Sequence, residues 1–197
     1  LAMGTTVTIG HSVGAKCMEQ AEKIIGNTIT LFMGIAVAFT VILVALVKPI
    51  VVLIATPQEA VAGTSIYLLI CFIGIPFITA YNIISSIFRG LGDSKSPMYF
   101  IGIACVMNIA LDYLFMGAFH MGAAGAALGT VCAQTFSVLV ALWVIRRRKT
   151  GISLKKSDFK IERAVIGQVL KIGIPVALQD GFIQVAFMII TVIANSR

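Results

Sequence analysis

Apolar residues in this chain come in long unbroken blocks joined by short polar connections. Five blocks reach bilayer length: Ile24–Val47, Val61–Phe88, Met98–Ala118, Ala123–Ile145 and roughly Val165–Ala194. A helix crossing the hydrocarbon core needs about 20 mostly apolar residues. A sixth, incomplete block fills roughly the first dozen positions. The blocks are too long for barrel strands and lack their alternation. A helix, by contrast, satisfies its own backbone hydrogen bonds in lipid. The expected fold class is therefore all-α, a polytopic helical membrane protein. The chain lacks an initiator Met, opens inside the apolar stretch Leu1–Ile9 and stops just past another. A fragment of a longer chain is the expectation.

Punctuation inside the blocks is sparse. Pro76 and Pro175 fall within spans, where each removes a backbone donor and is expected to kink or break its helix. Gly122, Gly125 and Gly129 form a small-residue cluster of the kind that lets helices approach closely. Gly90–Asp93 (GLGD) is a helix break. It lacks the Gly-Lys-Ser/Thr ending and the preceding strand of a phosphate loop.

Composition agrees with the pattern and adds orientation. Hydrophobic residues make up 59% of the chain and charged residues 12%, against about 25% charged in soluble domains. The net charge of +7 raises nucleic-acid binding, but the distribution argues against it. Eight of the 15 Lys and Arg lie between Arg146 and Arg163, as in a loop beside a membrane. Lys16 and Lys23 sit in the first connection, Arg89 and Lys95 in the third, while the second carries only Lys48 and the fourth neither Lys nor Arg. The positive bias puts the first, third and fifth connections on the cytoplasmic side. The four cysteines form no CxxC pair and are expected as small packing residues. His11 and His120 have no ligand partner nearby in sequence and are expected to be solvated.

Polar groups inside the spans carry the chemistry, because each costs free energy in lipid unless it finds a partner or water. Asn108 and Asp112 stand four apart and share a helix face. Asp112 is the sole acidic residue in the spans from Ile24 to Ile145, and a carboxylate at a helix centre costs about 2.5–3.5 kcal/mol. An ion or proton site is the reading, with Na⁺ at Asp112 as the one metal considered; the alternative is a protonated or snorkelling Asp near the outer interface. Tyr67 and Thr130 lie at a similar depth. Either they join that site, or Tyr67 belongs to an interfacial belt and Thr130 bonds its own helix. Asp180 and Gln184 repeat the four-residue spacing after Pro175. Either they line a further cavity, or they support the backbone opened by that proline.

Several stretches resemble the MATE (multidrug and toxic compound extrusion) family. Phe88–Met98 (FRGLGDSKSPM) is similar to the cytoplasmic loop after the family's fourth helix, and Asn108–Gln134 (NIALDYLFMGAFHMGAAGAALGTVCAQ) to its fifth and sixth helices. Ile9–Lys23 resembles the connection between its second and third, and Leu170–Asp180 the opening of its seventh. The resemblance implies two six-helix lobes around a central substrate cavity. Residues 1–145 would be the N-terminal lobe from the end of its second helix through its sixth. Residues 146–164 would be a basic cytoplasmic linker, and 165–197 the first helix of the C-terminal lobe. It also implies a cation or proton site at Tyr67, Asn108, Asp112 and Thr130, completed by an Asp on a first helix this chain does not contain. Some bacterial members carry a Glu further along the seventh helix. The corresponding place here is Ile183, with Gln184 beside it.

The expected function is a Na⁺- or H⁺-coupled antiporter in the bacterial inner membrane, exporting amphipathic, often cationic drug-like compounds. It would work with the remainder of the two-lobed chain (helices one and eight to twelve), without a cofactor and without catalysis. A flippase for lipid-linked precursors is the alternative, but it would be expected to hold a basic partner for pyrophosphate inside the membrane, and no span from Ile24 to Ile145 contains Lys or Arg. A scaffold or channel subunit is the third reading, and no repeated pore-lining filter supports a channel.

Overall fold

The computed structural model describes residues 2–53, 61–147 and 162–195. Seven α-helices form among them: α1 (Ala2–Gly14), α2 (Met18–Ala45), α3 (Val47–Leu53), α4 (Val61–Gly90), α5 (Lys95–Asp112), α6 (Gly122–Arg147) and α7 (Arg163–Asn195). A π-helical turn, Tyr113–Ala118, continues α5. With that turn counted into α5, five of these helices are long and apolar enough to cross a membrane. The strand-free, all-helical expectation holds for the described residues. The segment 148–161, most of the expected linker, lies outside them.

Helices α2 and α4 are rich in Val, Ile and Thr, which favour strands in water. In lipid the unpaired backbone costs more than the lost rotamer freedom, so helix wins. Between 6% and 28% of each span's most apolar stretch is buried within the bundle. The remaining apolar side chains point outward, a surface that only lipid or further helices can cover.

Two tight turns set the bundle's polarity. At the end of α4, Asp93 N–H donates to Phe88 O (2.9 Å) and Gly92 N–H to Arg89 O (3.1 Å), with Gly92 at φ +86°. This is a Schellman closure, and the left-handed position suits glycine. Asp93 then caps α5: its Oδ1 accepts from Lys95 N–H (3.1 Å) and Ser96 N–H (3.0 Å). The break expected at Gly90–Asp93 is thus both a stop and a start. The end of α1 closes the same way, with Cys17 N–H to Ser12 O and Lys16 N–H to Val13 O, both 3.0 Å. There the left-handed place is held by Lys16, at φ 60°.

Helix α4 is central, packing against α1, α2, α5 and α6, while α7 touches α1 and α2 alone among the described helices. One apolar cluster joins Ile9, Ile24, Ile25, Ile83, Ile87 and Val169; another joins Ile84, Phe88, Phe100, Val138 and Ala141. Both lie at the end of the bundle where α1, α4 and α6 finish and α2, α5 and α7 begin. Lys16, Lys23, Arg89, Lys95, Arg146, Arg147 and Arg163 therefore share one end. The charge alternation along the sequence has become a basic face.

Neither proline breaks its helix. Pro76 sits inside α4 and Pro175 inside α7. Pro76 leaves the carbonyl of Phe72, four residues earlier, without its usual donor. Thr40 on α2 supplies the bond instead, its hydroxyl donating to Phe72 O at 3.1 Å.

Candidate functional site

Asp112 is the last residue of α5 before the helix widens into the π-turn. Its Oδ1 is buried and has no hydrogen-bond partner. It lies against Gly129 of α6, so close that a Cβ there would collide with it. Gly129 is therefore more than a packing residue: its missing side chain is the space the carboxylate occupies. Gly125, one turn earlier, plays the packing part expected of the cluster, resting against Phe115. Gly122 faces open space and starts α6 at φ +58°.

One turn below Asp112 on the same face, Asn108 Nδ2 donates to Thr130 Oγ1 at 3.4 Å. Thr130 Oγ1 donates in turn to its own helix at Ala126 O, 3.0 Å away. Thr130 thus contacts Asn108 and bonds its own helix at once. With the amide nitrogen turned to Thr130, the Asn108 carbonyl oxygen is left to face elsewhere.

Thr130 borders two cavities. One, about 150 Å³, lies between α4 and α6 and is shared with Tyr67 and Cys71. The other, about 290 Å³, lies among α4, α5 and α6 and is shared with Asn108, Cys105, Tyr81 and Gln134. Asn108 and Thr130 are thus in direct contact, Tyr67 reaches Thr130 across a cavity, and Asp112 sits beside Gly129, the residue before Thr130. Asp180 and Gln184 are elsewhere. Both are exposed on α7, which has no contact with α4, α5 or α6.

Sequence reasoning passed over Tyr81 and Gln134. The hydroxyl of Tyr81 and Oε1 of Gln134 are buried and unpartnered. Gln134 is four residues past Thr130, so the same-face spacing that singled out Asn108 and Asp112 marks it too. The cysteines are free, and Cys17, Cys105 and Cys132 are exposed where packing positions were expected. Among the described residues no group of three metal-ligating side chains forms.

Long apolar spans, a basic end and a carboxylate oxygen buried between two helices, beside an exposed Asn108–Thr130 pair, define a polytopic helical membrane protein. The MatE family model matches residues 1–114, more than half of the chain, and the chain belongs to the MATE family. It is 34% identical over 193 residues to the probable multidrug resistance protein YpnP of Bacillus subtilis, covering 98% of this chain and 43% of that protein. It is 27% identical over 180 residues to the multidrug export protein MepA of Staphylococcus aureus, covering 90% and 40%. A multidrug resistance MATE family transporter of the MOP superfamily, solved in an outward-facing conformation, superposes with a TM-score of 0.86 at 24% identity over 95% of this chain and 42% of the other. The chain spans about two fifths of the length of these relatives.

Proposed function

We propose that the full-length protein is a cation-coupled multidrug antiporter of the bacterial plasma membrane, and that Asp112 is its charge-switching group in this lobe. The buried, unpartnered Oδ1 of Asp112 carries the reading. A carboxylate oxygen shut away from solvent and from donors is stabilised by taking a proton or a small cation. The Asn108–Thr130 pair adds neutral oxygens one turn away, as a Na⁺ shell needs. Tyr67 borders the same region from α4.

Coupling then follows from differential binding. A cation or proton at Asp112 changes the charge of the lobe's interior. If the inward- and outward-facing states hold cation and drug with different affinity, loading one drives release of the other. The relatives named for multidrug resistance and export support an amphipathic, often cationic cargo. The absence of Lys and Arg from the spans between Ile24 and Ile145 favours this over a lipid-pyrophosphate flippase. In this reading residues 1–145 belong to the first lobe, 146–164 link the lobes at the cytoplasmic face, and 165–197 open the second.

The test is Asp112→Asn in the full-length protein, reconstituted in vesicles under imposed Na⁺ and pH gradients. The amide keeps the shape and loses the charge, so coupled export is expected to fall at least tenfold with insertion unchanged. Export at the wild-type rate under both gradients would move the coupling site elsewhere.

A further inference from the structure

The 290 Å³ cavity beside the Asn108–Thr130 pair has room for several waters. Two of its lining residues, Tyr81 and Gln134, each bring a buried polar atom with no partner. A buried donor or acceptor left unmet is costly, and two of them side by side mark a place where something polar is held. The walls come from three helices, so no single backbone can satisfy both groups.

Position along the helices gives the cavity a direction. Tyr81 is nine residues from the basic end of α4, and Gln134 is thirteen from the basic end of α6, whereas Thr130 is seventeen. At about 1.5 Å per residue, the cavity runs from the Thr130 level toward the end that carries Lys16, Arg89, Lys95 and Arg146.

We propose that Tyr81 and Gln134 form a hydrated station on the basic, cytoplasmic side of the Asn108–Thr130 pair, through which the coupling cation passes to and from Asp112. Gln134 Oε1 is an oxygen ligand for a small monovalent cation or its water, and the Tyr81 hydroxyl both accepts from and donates to that water. No basic side chain lines the cavity, so nothing there repels a cation. The inference rests on the coupling reading of Asp112.

Cys105 lines the same cavity and supplies a native probe. The thiolate, which forms in water and not in lipid, attacks the methanethiosulfonate at sulfur, forming a mixed disulfide and releasing methanesulfinate. In full-length protein in vesicles, a membrane-impermeant trimethylammonium methanethiosulfonate is added from the cytoplasmic side and modification is read peptide by peptide. Cys132, exposed on the outer face of α6 in line with Phe136, Leu139 and Trp143, is the lipid-facing reference. Cys105 is expected to react at least tenfold faster than Cys132. Tyr81→Phe combined with Gln134→Leu is expected to slow Cys105 at least threefold and to raise the half-saturating concentration of the coupling ion at least fivefold. Tyr81→Phe alone, which removes one hydroxyl, moves both readouts the same way and stands in if the pair does not fold. Equal rates at Cys105 and Cys132 would overturn the hydrated cavity. Fast labelling that neither variant slows would overturn the roles of Tyr81 and Gln134. Slow Cys105 labelling with an inactive Asp112→Asn removes the station alone. Wild-type export by Asp112→Asn removes the coupling reading, and the cation's passage with it, while labelling stays fast.

Discussion

Asp112 keeps its place in the bundle because residue 129 has no side chain. A Cβ at that position would stand where Oδ1 now lies, and a well-packed interface answers such an insertion with strain of about 1–3 kcal/mol. Gly129→Ala is therefore expected to displace the carboxylate and reduce coupled vesicle export about as severely as Asp112→Asn, with a modest loss of thermal stability in detergent. Gly102→Ala is the control: nothing lies near that position, and alanine favours helix over glycine. Full export by Gly129→Ala would show that the cradle does not matter. At this scale, polarity was the legible signal. Asn108, Asp112 and Thr130 stand out because an apolar run makes any polar group conspicuous. Tyr81 was hidden by its nearness to the basic end, where tyrosines are common in interfacial belts. Gly129 was hidden among glycines that a packing motif already explains.

The five spans were legible in number and type; the short helix α3 was not, nor were the places where one element answers a defect in another. A proline inside α4 reads locally as a break, yet the helix runs on past Pro76. The donor for Phe72 O comes from Thr40 on a neighbouring helix, and no window of sequence contains both partners. Membranes tolerate helix-interior prolines when a neighbour's hydroxyl meets the freed carbonyl. Thr40→Val keeps the shape and removes that donor. It is expected to cost about 1 kcal/mol in reversible unfolding and to raise amide exchange around Pro76. Thr135→Val, whose hydroxyl bonds Val131 O on its own helix, is expected to cost less. Equal costs would mean that the inter-helix bond is incidental. The π-turn after Asp112 was equally out of reach. Phe119 N–H donates five residues back to Leu114 O, and the fit of Phe115 against Gly125 accompanies that widening, a tertiary fact with no local signature.

At the scale of the molecule, the basic end was readable because loop charge alternates with the spans, and the structure gathers the basic residues at the described helix ends on one side. How α7 attaches was not readable from hydropathy, since its apolar surface is much like that of the other spans. Among the described helices it joins through α1 and α2 alone. Glu162 N–H, at its start, donates to Asn27 Oδ1 of α2 at 2.6 Å. Further along, Gly4 of α1 meets α7 backbone to backbone: a Cβ at Gly4 would stand 2.6 Å from Val169 O and 2.8 Å from Gly173 N. Those are main-chain atoms and cannot swing aside, so a side chain there must part the helices. Close approach through facing glycines supplies much of the van der Waals attraction between helices in lipid, where no hydrophobic force draws them together. Val7 and Gln168 line the groove between α1 and α7, which makes them reporters of the crossing. Full-length protein carrying Val7→Cys and Gln168→Cys is expected to form a disulfide under mild oxidation. Adding Gly4→Leu should cut that yield several-fold, while adding Gly14→Ala, at a position with open space around it, should leave it unchanged. A yield that survives Gly4→Leu would mean that α7 is held by its start at Asn27 and that the glycine crossing contributes nothing to the joint.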